Sequence, residues 1–210
     1  MDATTEEDAF VLDMTARLDA AKIPHMLTGS VVSSSYGQRR QTADADILID
    51  PDTPGRVVAR PGDDFYADRN TARTAVHDRR MFNVICYDTG FKADIIVRKD
   101  AAYDRQSFGR RVRRPLNAGL PEVWMVAPED SILSKLRWAK KTGSTRQVDD
   151  AAGVAAVQGD ALDAAYLDRG RRTSASPTTS PASGPSPRRS PRRTGTTIRG
   201  DGSGRAAGRR

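Results

Sequence analysis

The first pattern along the chain is a set of apolar residues at helical spacing. Between residues 4 and 22 they recur three or four positions apart, which places their side chains on one face of a helix. These residues are Phe10, Met14, Leu18 and Ala21. Thr4 and Glu7 have the spacing of a capping box, and Pro24 follows the end of the pattern. The pattern predicts an amphipathic helix near the N-terminus.

Short apolar runs farther along the chain predict strands, because they are rich in β-branched and aromatic residues and are bounded by turn residues. These runs cover residues 25–28, 44–50, 82–87, 91–97 and 123–126. The third and fourth runs are joined by Asp88-Thr89-Gly90, a link typical of a hairpin. Further helices are predicted at residues 70–79, from Pro128 onward and within residues 147–167.

Two carboxylates open the second of these strands. Asp44 and Asp46 are two positions apart and therefore project from the same face, while Ala45, Ile47 and Ile49 face a core. Neighbouring carboxylates repel unless a cation lies between them. Magnesium is the expected cation because it takes carboxylate oxygens and completes its octahedron with water and phosphate oxygens.

Gly29 and Ser30 lie between the first predicted strand and a segment that can form a helix. Glycine lets the backbone approach a ligand closely. The serine hydroxyl can cap the helix, and the amides at a helix N-terminus favour an anionic phosphate. The order of these features, a Gly-Ser turn followed by two carboxylates on a strand, predicts a phosphate-binding turn next to a metal site.

These motifs carry a resemblance to a known superfamily. The residues are Gly29-Ser30 followed by Arg40-x-Thr42-x-Asp44-x-Asp46-Ile47. They resemble the signature of the nucleotidyltransferases that share the DNA polymerase beta palm, and the chain is most similar to the AbiEii-type bacterial members over residues 5 to 167. The resemblance implies an α/β fold with a mixed sheet flanked by helices, two magnesium ions and a nucleoside triphosphate donor.

The resemblance also implies roles for individual residues. Asp94, in the strand of residues 91–97, matches the third acidic residue of the family and would share the second metal ion. Arg40 and Lys135 match positions that would bind the triphosphate, beside Gly29 and Ser30. For both cations a plain solvated side chain is the competing interpretation. The chain departs from the family at residues 51–62, where three prolines and two glycines replace a helix, and at Val148 and Asp149.

The resemblance further implies partners. In the family this activity can act as a toxin within a toxin–antitoxin pair. An RNA or protein acceptor and a cognate antitoxin are therefore expected partners.

Two other functions stay open from the sequence. One is a regulator that binds the nucleotide without turnover, and the other is a nucleic-acid-binding protein that acts through a basic tail.

The positive charge of the chain is concentrated at its C-terminal end. The net charge is +7, but residues 169–210 carry +10, so residues 1–168 carry −3. The basic character is therefore no evidence that the folded part binds nucleic acid.

One cysteine and two histidines exclude an internal disulfide and are too few for a structural zinc site. No apolar segment suggests a signal peptide or a membrane span, so a cytoplasmic bacterial protein is expected.

The composition changes abruptly after Leu167. Residues 169–210 consist mainly of Arg, Ser, Pro, Thr, Gly and Ala, contain no aromatic residue and are predicted to be disordered. The expected organisation is a nucleotidyltransferase-like domain over residues 1–168 and an Arg/Ser/Pro-rich tail. Such a tail is also what GC-rich DNA encodes out of frame. Reading permitted codons from the third base yields apolar residues at helical spacing, so a genuine extension and a frameshift product both remain open.

Overall fold

The computed structural model describes residues 4–37, 44–50 and 64–175. Over these residues it contains seven strands, β1 (His25–Thr28), β2 (Asp44–Ile49), β3 (Phe65–Tyr66), β4 (Met81–Cys86), β5 (Lys92–Val97), β6 (Val112–Pro115) and β7 (Glu122–Met125). The α-helices in the same part are α1 (Glu6–Ala20), α2 (Gly29–Tyr36), α3 (Arg69–His77), α4 (Ala102–Gly109), α5 (Pro128–Thr142), α6 (Thr145–Gln158) and α7 (Ala164–Ala175). The predicted tail beyond α7 and the segment 51–62 lie outside the described residues.

The strands form one mixed sheet in the order β3-β4-β5-β2-β1-β7-β6. β2 runs parallel to β5 and antiparallel to β1, which in turn runs parallel to β7. β4 and β5 pair antiparallel, so the predicted hairpin is confirmed. The α/β fold with a mixed sheet and accompanying helices is confirmed as well.

The core lies on one face of the central strands. Alternate residues of β2 and β5 are at most 2% exposed on that face, and these are Ala45, Ile47, Ile49, Ala93, Ile95 and Val97. Because side chains alternate along a strand, the polar residues of the same two strands share the opposite face. The register that buries the aliphatic residues therefore also groups the acidic ones.

The cap of α1 differs from the prediction by one residue. Thr5, rather than Thr4, is the N-cap, and its hydroxyl accepts a hydrogen bond from the Asp8 amide at 3.1 Å while the Asp8 carboxylate accepts one from the Thr5 amide at 3.2 Å. Asp8 also accepts a hydrogen bond from the Asn117 side chain, 109 residues away in the chain. Asp8, rather than Glu7, therefore completes the capping box. Its carboxylate is also held by a tertiary hydrogen bond that no local pattern predicts.

The last helix is attached through a buried carboxylate. Asp130, at the start of α5, is fully buried and accepts hydrogen bonds from the Tyr166 hydroxyl at 2.6 Å and from Arg110 at 3.1 Å. Gly170 lies directly against Leu133. Because α7 continues to Ala175, the domain boundary expected at residue 168 falls inside a helix. In the described part of the chain no helix has both the length and the apolar character needed to cross a bilayer.

Candidate active site

Strand pairing brings the three predicted acidic residues to one place. In the parallel pair of β2 and β5, Asp46 lies opposite Asp94 and Asp44 lies opposite Lys92. Paired positions of neighbouring strands project from the same face of a sheet. The structure therefore groups Asp44, Asp46 and Asp94 on the face that the aliphatic core leaves to polar side chains.

The predicted Gly-Ser turn lies against this acidic group. Thr28, the last residue of β1, pairs with Asp46, and Gly29 follows with a φ of +68°. A Cβ placed on Gly29 would stand 1.8 Å from the Asp46 Oδ2 atom. The glycine is required here both by its left-handed backbone conformation and by the space that the carboxylate occupies.

Ser30 has a different role at the helix start from the predicted one. The N-cap of α2 is Thr28, which makes no side-chain capping hydrogen bond, and Ser30 lies inside the first turn. The Ser33 hydroxyl donates to the Gly29 carbonyl at 3.0 Å and to the Ser30 carbonyl at 3.2 Å. The prediction that the Ser30 side chain caps the helix is wrong, because the N-cap lies two residues earlier, at Thr28, and the helix begins at Gly29.

The electrostatics of the site centre on Asp46. Burial is the main reason that the pKa of Asp46 is raised to about 6, and repulsion from Asp44 and Asp94 adds to it. The positive charges of Lys135 and Lys92 oppose this rise in the pKa but do not cancel it. Burial and the neighbouring carboxylates together therefore favour the protonated form of Asp46.

Lys92 and Asn83 belong to the site although the sequence analysis assigned no role to either residue. The Lys92 Nζ atom lies 2.9 Å from Asp94 Oδ1 and 3.7 Å from Asp44 Oδ2, and its hydrogen bond to Asp94 is the main reason that the pKa of Lys92 is raised. The Asn83 side-chain amide, on β4, donates to the same Asp94 oxygen. The signal for Lys92 was its position two residues before Asp94, on the same face of β5.

Lys135 lies near the acidic residues but is already paired. It is 6% exposed, and its Nζ atom lies 2.9 Å from Asp150 Oδ2 on α6. Its charge nevertheless lowers the pKa of Asp46. The alternative of a solvated surface lysine is therefore wrong. Arg40 lies outside the described residues.

The three aspartates have the right chemistry to bind a divalent cation, although their side chains are not arranged as a complete metal site. No group of three or more His, Cys, Asp and Glu residues in the described ranges is arranged to hold a metal ion. The carboxylate oxygens of Asp44, Asp46 and Asp94 are nevertheless the ligands that magnesium prefers. A bound cation would offset the repulsion from Asp44 and Asp94 that contributes, after burial, to the raised pKa of Asp46.

Comparison with known proteins supports the fold. No protein-family model and no curated protein matches the sequence. The solution structure of the antibiotic-resistance factor ANT(2'')-Ia is similar, with 15% identity, a TM-score of 0.50, and coverage of 81% of this chain and 96% of that chain. The crystal structure of an antigenic nucleotidyltransferase-like protein from Paracoccidioides brasiliensis has 15% identity, a TM-score of 0.52 and coverage of 81% and 88%. The chain therefore has a nucleotidyltransferase-like fold.

Proposed function

We propose that this protein is a magnesium-dependent nucleotidyltransferase that moves a nucleoside monophosphate from a nucleoside triphosphate to an acceptor hydroxyl. The observation that carries the proposal is the placement of Gly29 against Asp46, with Asp94 paired beside it. A backbone turn at a helix start and a carboxylate cluster are the two parts that binding a metal-bound triphosphate requires.

Asp44, Asp46 and Asp94 would hold the magnesium ions. When bound, magnesium offsets the charge of the triphosphate and polarises its phosphoryl oxygens. The amides that open α2 would bind phosphate oxygens, and Lys135 would add positive charge near Asp46. Asp94 would accept the proton of the acceptor hydroxyl as its oxygen attacks the α-phosphate. The bond to the departing pyrophosphate breaks as the new phosphate ester forms.

The finer assignments extend the proposal to partners. The resemblance to AbiEii-type proteins favours an RNA or protein acceptor, a toxin-like role and a cognate antitoxin. Each of these rests on the motif residues quoted above, and the acceptor is the first of them to be determined by experiment.

A second candidate function is a regulator that binds the nucleotide without transferring it. The observation that favours it is the position of Lys92, whose ammonium group lies between Asp44 and Asp94, where a metal-binding enzyme would hold a metal ion. Such a protein would bind a triphosphate in the presence of magnesium and release no pyrophosphate.

Label transfer tests the two functions directly. The full chain is incubated with each α-labelled nucleoside triphosphate, magnesium and either total RNA or a bacterial lysate. Transfer of label with release of pyrophosphate supports the enzyme, provided that Asp46→Asn shows neither. Binding of the triphosphate without transfer to any acceptor supports the regulator, and absence of binding contradicts both.

A further inference from the structure

Lys92 is placed to neutralise two carboxylates at once. It opens β5 directly opposite Asp44 of β2, and Asp94 lies two residues farther along on the same face. Its ammonium group lies 2.9 Å from Asp94 Oδ1 and 3.7 Å from Asp44 Oδ2. The position of Lys92 on the parallel strand pair thus makes it a bridge between two proposed metal ligands.

Lys92 and Asp94 differ in how far their side chains are exposed to solvent. The Asp94 side chain is 12% exposed and is also held by the Asn83 amide, whereas the Lys92 side chain is 36% exposed. A lysine has a long flexible stem and a strongly hydrated charge, so Lys92 can move its ammonium into water, where hydration offsets part of the lost ion pairing. The Asn83 hydrogen bond gives Asp94 a second partner that does not depend on Lys92.

A metal ion and the ammonium group need the same oxygens. Each is stabilised by the negative charge of Asp44 and Asp94, and the two positive charges repel each other at this distance. We propose that the Lys92 ammonium and a divalent metal ion are alternative occupants of the space between Asp44 and Asp94, so that Lys92 sets the metal affinity of the site. This inference rests on the proposed function, because it takes both aspartates as metal ligands.

The competing view is that Lys92 positions Asp94 for the metal. Removal of the lysine would then loosen Asp94 and weaken metal binding. Exchange predicts a change in metal affinity of the opposite sign, because removal of Lys92 takes away a competing positive charge. The direction of the change in metal affinity therefore separates the two views.

The test is a titration of the full chain with Mn²⁺ in the absence of nucleotide. Binding is measured by isothermal titration calorimetry and, independently, by the electron paramagnetic resonance signal of free Mn²⁺. Lys92→Met is expected to bind Mn²⁺ about fivefold more tightly than the original chain, as expected for the loss of one partly exposed ion pair. Lys92→Arg keeps the charge and is expected to stay within about twofold.

Two controls accompany the titration. Lys99→Met changes the net charge equally but lies beyond the far end of β5, so its Mn²⁺ affinity is expected to equal that of the original chain. Lys92→Gln retains a polar group toward Asp94 without the charge and is expected to bind more tightly, like Lys92→Met. It replaces Lys92→Met if the latter fails to fold by circular dichroism.

The outcomes separate this inference from the proposed function. If the original chain binds Mn²⁺, Asp94→Asn abolishes that binding, and Lys92→Met binds equally or more weakly, the exchange is overturned while the metal assignment stands. If neither the original chain nor Lys92→Met binds Mn²⁺, both are overturned. Tighter binding by Lys92→Met and Lys92→Gln, lost again on adding Asp94→Asn, supports the exchange.

Discussion

The Gly29 backbone and the Asp46 carboxylate occupy adjoining space, so that an added Cβ at Gly29 would stand 1.8 Å from Oδ2 and 2.7 Å from Cγ of Asp46. Any larger residue at position 29 must displace the carboxylate. The left-handed backbone at Gly29 adds a further cost.

Gly29→Ala is therefore expected to abolish nucleotidyl transfer and to lower the free energy of unfolding by about 1 to 3 kcal/mol. Gly90→Ala is the matched control, because Gly90 has a φ of +69° but nothing within 4 Å of its added Cβ. Its expected cost is about 1 kcal/mol, with full activity. Urea unfolding and label transfer are measured for both, and equal activity of the two variants would contradict the steric role of Gly29.

The raised pKa of Asp46 predicts a pH-dependent stability. The ordinary pKa of this carboxyl is 3.8 and here it is about 6. Between these values the folded protein keeps a proton that the unfolded chain has lost, so this group makes stability fall as the pH rises through the interval. Asp46→Asn cannot ionise and should match the original chain near pH 4 but exceed it by about 2 kcal/mol above pH 7.

The measurement is urea unfolding in EDTA across this pH range. Asp100→Asn is the control, because the hydrogen bond from Arg105 lowers the pKa of Asp100 and its replacement should give no added stability at neutral pH. A stability difference between Asp46→Asn and the original chain that does not change with pH would argue against the proposed proton on Asp46.

The acidic residues are expected to differ in their effect on turnover and binding. Asp44→Asn and Asp46→Asn should each abolish transfer and leave the fold intact, because each removes negative charge from a crowded group. Asp94→Ala should reduce the transfer rate more than triphosphate affinity, since its proposed role is at the second metal and the acceptor. Single-turnover transfer and equilibrium binding of the triphosphate give the two quantities. Full activity in either β2 variant, or a parallel loss of both quantities in Asp94→Ala, would contradict these roles.

Lys135 is expected to contribute to both stability and triphosphate binding. Lys135→Met leaves the Asp150 carboxylate without its 2.9 Å partner and should lower the free energy of unfolding by about 1 to 3 kcal/mol. Adding Asp150→Asn should restore part of the stability but not triphosphate affinity. Affinity is measured by equilibrium dialysis, and its full recovery in the double variant would make Lys135 a purely structural residue.

The frameshift hypothesis for the C-terminal tail predicts that a chain with the frame restored after Leu167 melts at a higher temperature. The restored frame would continue α7 beyond Leu167 with apolar residues at helical spacing and so cover apolar surface. A gain of about 1 kcal/mol corresponds to a few degrees in a domain of this size. Deletion of residues 177–210 is the control and should leave the melting temperature unchanged, because this Arg/Ser/Pro-rich sequence has too few apolar residues to form a core. An early stop codon in the alternative frame of the gene would rule the hypothesis out.

Local sequence patterns were sufficient for most of the elements that form the sheet. Alternation placed Asp44 and Asp46 on one face of a strand and Asp94 on the polar face of another, because the two-residue period of a strand is a property of the backbone itself. The Asp-Thr-Gly link indicated the hairpin of β4 and β5. Pro128 marked the first residue of α5, since proline lacks the amide that the first turn leaves unpaired.

Only the tertiary structure decided which strands are neighbours and which charges meet. The pairing of β2 with β5 brings Asp46 beside Asp94 across 48 positions of sequence, and no local pattern encodes that partner. The same pairing places the Lys92 ammonium between two carboxylates, and the packing of α5 on α6 buries Lys135 against Asp150. The chain by itself determined which side chains point away from the core. Long-range packing determined which of them come within a few ångströms of one another, because strand register and helix contacts are set by burial of the whole core.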